Sequence, residues 1–302
     1  MNNKKRTAYA AILFTITVWG ISLINTKIAM EYYNSISISF WRTVIASATL
    51  FILKMANHPE EKMKKEDRKT FLIAGASGVF FYFIFQNTGL IFISASLTSI
   101  ILGIIPIITM IVEAVISRNK LNLVKVASVF ISLAGVCLIV GFETGTSTRN
   151  IIIGSLLILM SVFSWVAYTF STKSLSKNYA PISILFYQTL IGMVLLGFLM
   201  PFNWSSPLGT TLTVNFNLAY LGIICSAVAY SLYNYALNNL NATVCNIFIN
   251  LLPAVSIVTG ILVLDETITA QQIFGTVLIL FSIYFITKDS EKENAINIEK
   301  IV

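Results

Sequence analysis

The stretch WGISLINTK at 19–27 returns as WVAYTFSTK at 165–173, with Trp, Thr and Lys at matching positions 146 residues apart. Extended without a gap, 19–42 against 165–188 shares Trp19, Thr26, Lys27, Tyr33, Ile36, Ser37, Ile38 and Phe40 with their counterparts, 8 identities in 24. At an offset one residue larger, 82–106 pairs with 229–253 through Asn87/Asn234, Leu90/Leu237, Ala95/Ala242, Ile100/Ile247 and Pro106/Pro253, 5 in 25. Apolar identities can come from composition. Matches at Trp, Thr, Lys, Tyr, Asn and Pro with a near-constant offset point instead to two copies of one unit of about 146 residues.

The unit is a membrane unit. Hydrophobic residues make up 56% of the 302 and charged residues 11%, where soluble domains carry about 25% charged residues. Apolar runs of near 20 residues recur, each long enough to cross ~30 Å of hydrocarbon. The ~10-residue alternating segments of a transmembrane barrel are absent. Ten spans are read, at roughly 8–26, 36–54, 70–90, 94–116, 122–141, 151–172, 181–200, 217–237, 243–264 and 268–287. Each copy holds five. Five is odd, so the second copy enters the membrane from the opposite side. The expected fold is an all-α integral membrane protein of ten transmembrane helices as two inverted five-helix repeats, 1–141 and 151–287, with a cytoplasmic tail at 288–302. Many secondary transporters derive alternating access from such inverted repeats. The opening MNNKKR resembles a secretory signal, but no small-x-small cleavage site follows, so it is read as an uncleaved first span.

Lys and Arg in the loops set the orientation. With the N-terminus inside, inside segments hold 17 of them and outside segments two, Lys27 and Arg149, while Arg42 lies within a span. Both termini are therefore expected in the cytoplasm. The net charge of +7 has the same cause, and no basic folded face exists for nucleic acid. The run 54–69 mixes both signs and reads as a solvated loop. Cys137, Cys225 and Cys245 fall inside spans without metal-ligand spacing and read as packing residues.

Polar groups inside hydrocarbon are costly and face the bundle interior or a wet cavity. Thr15, Trp19, Ser22 and Thr26 form one helical stripe, and Ser161, Trp165, Tyr168 and Thr172 form its counterpart. Both suit a cavity wall, although small hydroxyls also serve helix packing. Lys27 and Lys173 end their spans as snorkelling residues would. Arg42, with Gln188 as its repeat counterpart, would either take a substrate carboxylate bidentately or lock helices through backbone carbonyls. Gln86 and Asn87 answer to Tyr233 and Asn234. Asn246 and Asn250 precede Pro253. Proline frees the carbonyl four residues back, Leu102 for Pro106 and Ile249 for Pro253, which would suit a substrate amine or make a packing kink. Glu113 is the one carboxylate well within a span. It would carry a coupling proton or brace Lys120 or Lys125. The single His58 lies in a loop, so HExxH is impossible. GxSxG, a P-loop and acidic metal motifs are also missing, which leaves an intramembrane enzyme without its chemistry. Neither catalytic residues, a metal nor a cofactor is called for. A channel would show a ring of charges or a filter repeat.

Ten spans in two fives, VWGIS in span 1, Arg42 after FW in span 2 and the paired prolines resemble the drug/metabolite transporter superfamily, most closely its EamA family. The stretch LDETITAQQIFGTVLILF at 264–281 loosely fits that family's Glu-x-Leu-Thr-x-x-Gln-x-x-Gly phrase through Glu266, Gln272 and Gly275. The first copy departs from it, with Asn119, Lys125 and Ser128 in those places. The resemblance covers 8–287. It implies a bacterial inner-membrane carrier, monomer or homodimer, that moves a small-molecule substrate, commonly an exported amino acid or related metabolite. The superfamily also includes carriers of sugars, nucleotide-sugars and cationic drugs. Proton exchange and facilitated diffusion both remain open.

Overall fold

In a bilayer every backbone polar group must be satisfied within the chain, so apolar runs of this length become helices. The computed structural model describes residues 3–118, 122–140, 147–202, 211–255, 258–259 and 269–299. These form ten helical spans. They are α1 Asn3–Met30, α2 Ser35–Asn57, α3 Arg68–Phe92, α4 Ala95–Leu102 continued by Ile105–Ser117, α5 Leu123–Val140, α6 Thr148–Leu175, α7 Pro181–Gly197, α8 Val214–Asn239, α9 Ala242–Val255 and α10 Ala270–Glu299. By length and composition, α2, α3, α4, α6, α8 and α10 can each cross a membrane alone, while α5, α7 and α9 are shorter apolar helices. The fold is all-helical, as expected. Two ends differ from the sequence reading. Helix α1 starts at Asn3, taking in Lys4, Lys5 and Arg6, and α10 continues through the residues read as a tail to Glu299.

The helices pair across the two copies. Helix α1 packs on α8 and α6 on α3. Helix α2 packs on α7, α4 on α9 and α5 on α10. Exchanging the copies (1 with 6, 2 with 7, 3 with 8, 4 with 9, 5 with 10) maps this set of pairs onto itself, as a pseudo-two-fold axis requires. Local irregularities repeat as well. A π-helical turn at Ala76–Phe81 in α3 answers one at Tyr220–Ala229 in α8. The interruption of α4 at Gly103 and Ile104, ahead of Pro106, answers the 3₁₀ turn Phe248–Leu251 ahead of Pro253. Each proline sits one or two residues after an irregular turn of its helix. The freed carbonyl expected at Ile249 is not free, because tightening to 3₁₀ geometry gives it the Leu252 N–H.

Close backbone approach holds the α5–α10 pair. A Cβ built on either Gly135 or Gly275 would sit 2.6 Å from the carbonyl oxygen of the other. A backbone atom cannot swing aside, so overpacking there costs about 1–3 kcal/mol or more. Gly135→Leu is expected to lower the melting temperature of the purified protein in detergent by several degrees, while an exposed change such as Phe130→Leu leaves it within error. The family-phrase residue Gly275 is thus a packing residue. Gln272 joins Thr269 in a reciprocal cap at the start of α10: Thr269 N–H donates to Gln272 Oε1 at 2.9 Å, and Gln272 N–H donates to Thr269 Oγ1 at 3.2 Å. Glu266, Asn119 and Lys120 lie outside the described residues.

On the face that carries both termini, the 58–67 segment is mostly exposed, as read, and is tethered to the start of α7 at three points. The Ala180 N–H at the start of α7 donates to Glu61 Oε1 at 3.0 Å. Tyr179 Oη donates to Asp67 Oδ2 at 2.7 Å, and the Lys64 N–H donates to Tyr179 Oη at 3.0 Å. Met63 alone from this segment packs against the cluster of Phe71, Leu175, Tyr179 and Ile184.

Candidate functional site

Between the copies lies a narrow cavity of about 40 Å³. It has room for a few waters as it stands, and a metabolite would need the walls to part. Helix α1 contributes Trp19, Ser22 and Thr26, one face at spacings of three and four. Helix α3 contributes Tyr82, Phe83, Gln86, Asn87 and Leu90 by the same spacing. Arg42, Trp165, Tyr230, Ile249 and Leu252 complete the wall. Every contributor from α1, α3 and α9 sits in the half of its helix that leads away from the termini, and Arg42 sits near the start of α2. The cavity therefore lies mainly toward the face opposite the termini, with Trp165 and Tyr230 at its inner end.

Arg42 is the single charged side chain on this wall and is 5% exposed. Its Nε–H donates to Ser226 Oγ at 3.0 Å, and its guanidinium carbon lies 4.3 Å from the Phe83 ring centroid. Among the described residues, no carboxylate pairs with it. Helix α8 presents Ser226 there because its π-helical turn displaces the register, and the same turn leaves backbone oxygens available. Trp19 Nε1–H donates to the Cys225 carbonyl at 3.1 Å, and Thr15 Oγ1 donates to that of Ala229 at 3.0 Å. An aromatic wall stands beside Arg42. Trp19 meets Trp165 edge-on with centroids 5.4 Å apart, Tyr230 lies 4.8 Å from Trp19, and Tyr82 lies 5.0 Å from Trp165. The arrangement offers one fixed cation for an anionic group, aromatic faces for an ammonium or apolar group, and amides and hydroxyls for orientation. Asn87 Nδ2 is held by Ser39 Oγ at 2.9 Å.

The equivalent residues of the second copy are packed shut. Tyr168 Oη donates to Asn234 Oδ1 at 2.8 Å, and Gln188 Nε2 donates to Thr172 Oγ1 at 2.8 Å. The Tyr168 ring fills the space where Gly78 would carry a Cβ. Asn246 lies beneath Trp165, accepting from Trp165 Nε1 at 3.1 Å and Tyr233 Oη at 2.6 Å, and donating to Thr109 Oγ1 at 2.8 Å. Asn250 turns away to α5, donating to Ser132 Oγ at 2.8 Å. Of the residues singled out in the sequence, Trp19, Ser22, Arg42, Gln86, Asn87 and Trp165 thus meet at the cavity. Tyr168, Gln188, Asn234, Asn246 and Asn250 do not. Tyr82, Phe83 and Tyr230 were not legible as site residues, since aromatics are common in apolar spans. The helical spacing from Gln86 back to Tyr82 and Phe83 was the available signal.

At the terminal face the closed half ends in a two-sided grip on the α8–α9 turn. Lys173, in the last turn of α6, donates to the Leu237 carbonyl at 3.1 Å and to that of Leu240. From α4, Glu113 Oε2 accepts the Thr243 N–H at 3.3 Å and the Thr243 hydroxyl. Cation on helix C-terminus and anion on helix N-terminus both match the helix dipole. Glu113 is therefore an α9 cap, far from Arg42 along the helices. The side chain of Lys27, the counterpart of Lys173, lies outside the described residues.

Asn246→Ala is expected to destabilise the closed half. It orphans Trp165 Nε1–H at a cost of about 1–3 kcal/mol, while Tyr233 can still turn to Thr169 Oγ1, 3.3 Å away. A clear drop in melting temperature checks this, and an unchanged value contradicts it.

The model of the EamA-like transporter family matches residues 6–141 and 152–288. An uncharacterized transporter of Archaeoglobus fulgidus is 26% identical over 280 residues, covering 93% of this chain and 98% of that one. The uncharacterized transporter YcxC of Bacillus subtilis is 25% identical, covering 94% and 93%. A probable terminal-alkyne amino-acid exporter of Streptantibioticus cattleyicolor is 22% identical, covering 94% and 95%. A crystal structure with 13% identity superposes with a TM-score of 0.79 over 95% of this chain and 98% of the other, a likeness of fold.

Proposed function

The chain belongs to the EamA-like transporter family, a family of transporters and not of enzymes, and from that premise we propose that it exports a small zwitterionic metabolite of the amino-acid class. The observation that carries this reading is Arg42: a buried guanidinium on the cavity wall with no carboxylate partner among the described residues. A buried charge without a partner is costly, and a substrate carboxylate would complete it. The aromatic wall beside it suits the ammonium or an apolar side chain. The name of the Streptantibioticus cattleyicolor relative agrees with the class.

The loop charges favour cytoplasmic termini, and the relatives are archaeal and bacterial. The cavity then faces outward, and the Lys173–Glu113 grip is the closed inner gate. Alternating access exchanges the roles of the copies: Tyr168, Gln188, Asn234 and the α8–α9 turn open an inner cavity while Trp19, Ser22, Gln86 and Asn87 close the outer one. Gln188 Oε1 and Asn234 Nδ2 support this. Both are buried without a hydrogen-bond partner, an expensive condition in a purely structural core.

Competition against an amino-acid substrate tests the reading. An α-amino acid should inhibit transport in proteoliposomes, while its decarboxylated amine and its carboxamide should inhibit at least tenfold less. Equal inhibition by all three would remove the carboxylate from recognition and favour the other carrier classes of the superfamily.

A further inference from the structure

We propose that a lateral groove between α1, α9 and α10 binds one anionic phospholipid from the leaflet at the terminal face. The groove holds about 580 Å³. Its depth is apolar, with Leu13 from α1, Phe248 and Leu251 from α9, and Leu280 and Ile283 from α10. Helices α1 and α10 both pack on the 3₁₀ turn of α9, and the groove runs between them over that turn.

Charge selects the occupant. On α1, Lys5, Tyr9 and Leu13 follow one another at intervals of four and share a face. On α10, Leu280, Tyr284 and Lys288 do the same. Each stripe is apolar toward the bilayer centre and ends in a lysine at the terminal face. The Lys288 ammonium rests 5.5 Å from the Tyr284 ring centroid and donates to the Tyr284 hydroxyl at 3.4 Å. The apolar depth takes acyl chain and the rim takes the headgroup phosphate, with Lys288 lining the groove and Lys5 one turn before the lining residue Tyr9. Basic pockets between helices at the cytoplasmic face recognise anionic headgroups in this way.

The groove also touches the transport site. Phe248 and Leu251 of the α9 turn face the lipid, while Ile249 of the same turn and Leu252 just after it face the central cavity. Binding itself needs only the bilayer. Its bearing on transport rests on the reading given under Proposed function.

Native mass spectrometry of the delipidated full chain, titrated with phosphatidylglycerol or phosphatidylcholine, tests the site. Wild type is expected to take up one phosphatidylglycerol well ahead of phosphatidylcholine. The Lys5→Gln/Lys288→Gln variant is expected to lose about thirtyfold in phosphatidylglycerol affinity, roughly fivefold per lysine, with phosphatidylcholine unaffected. Leu251→Trp fills the groove and should remove the tight site altogether. Equal uptake of the two lipids by wild type, or full phosphatidylglycerol affinity in the double-lysine variant, overturns the proposal. The two lysines lie at the helix ends, so that variant folds even where the Trp does not. Mass reads binding without transport, so failure here leaves the transporter reading standing.

Discussion

Arg42→Gln transports its amino-acid substrate at less than a tenth of the wild-type rate, and Arg42→Lys does not restore it. A charge-assisted hydrogen bond is worth about 1.5–3 kcal/mol, so losing a bidentate grip on a carboxylate removes roughly ten- to a hundredfold or more in affinity. Lysine keeps the charge but lacks the planar fork and the stacking on Phe83. The same change tests the rival role, a lock between helices. Arg42 contacts Ser226 through one nitrogen, and no ion pair satisfies its charge among the described residues. Removing that charge relieves a desolvation cost, so Arg42→Gln is expected to melt at or above the wild-type temperature in detergent. Loss of transport with retained stability marks a substrate ligand. Loss of both in parallel marks a lock.

Lys173→Gln opens the inner gate, and Glu113→Gln does so to a smaller extent. Lys173 makes two charge-assisted bonds to the α8 carbonyls, and Glu113 makes two bonds at the start of α9. Because the gate residues hold one conformation, loss of about 1.5–3 kcal/mol shifts a two-state equilibrium by roughly ten- to a hundredfold. The native cysteines report the shift. Cys245 is fully buried on α9 beside the gate, and Cys225 is buried on α8 beside the cavity. With Cys137 and Cys225 replaced by serine, Cys245 should react with an impermeant maleimide from the terminal side at least tenfold faster in Lys173→Gln than in the Lys173 background. No change in rate would mean that the grip is a helix cap without a gating role.

The ten spans and the doubling were legible because hydrocarbon imposes length and because Trp, Thr, Lys and Asn rarely coincide by chance. Half the site was legible for a similar reason: Trp19, Ser22, Arg42, Gln86, Asn87 and Trp165 are polar or large where the bilayer tolerates neither without purpose. The closed set was beyond reach. Tyr168, Gln188 and Asn234 are the repeat counterparts of Ser22, Arg42 and Asn87, so the sequence presents both sets as equivalent. The conformation breaks that equivalence, and a single chain sequence carries no mark of which half is open. The π-helical turns at Ala76–Phe81 and Tyr220–Ala229 were also invisible, since one extra residue in a turn changes neither hydropathy nor length. In sequence Lys173 resembles any snorkelling lysine; the carbonyls of Leu237 and Leu240 that it binds come together only in the fold.

Substrate counterflow in proteoliposomes, run over a panel of amino acids, tests the central claim most directly. Wild type loaded with an unlabelled substrate is expected to accumulate its labelled form transiently, with Arg42→Gln showing no overshoot and a pH gradient deciding whether protons take part. Folded wild type that accumulates no member of the panel would contradict the account.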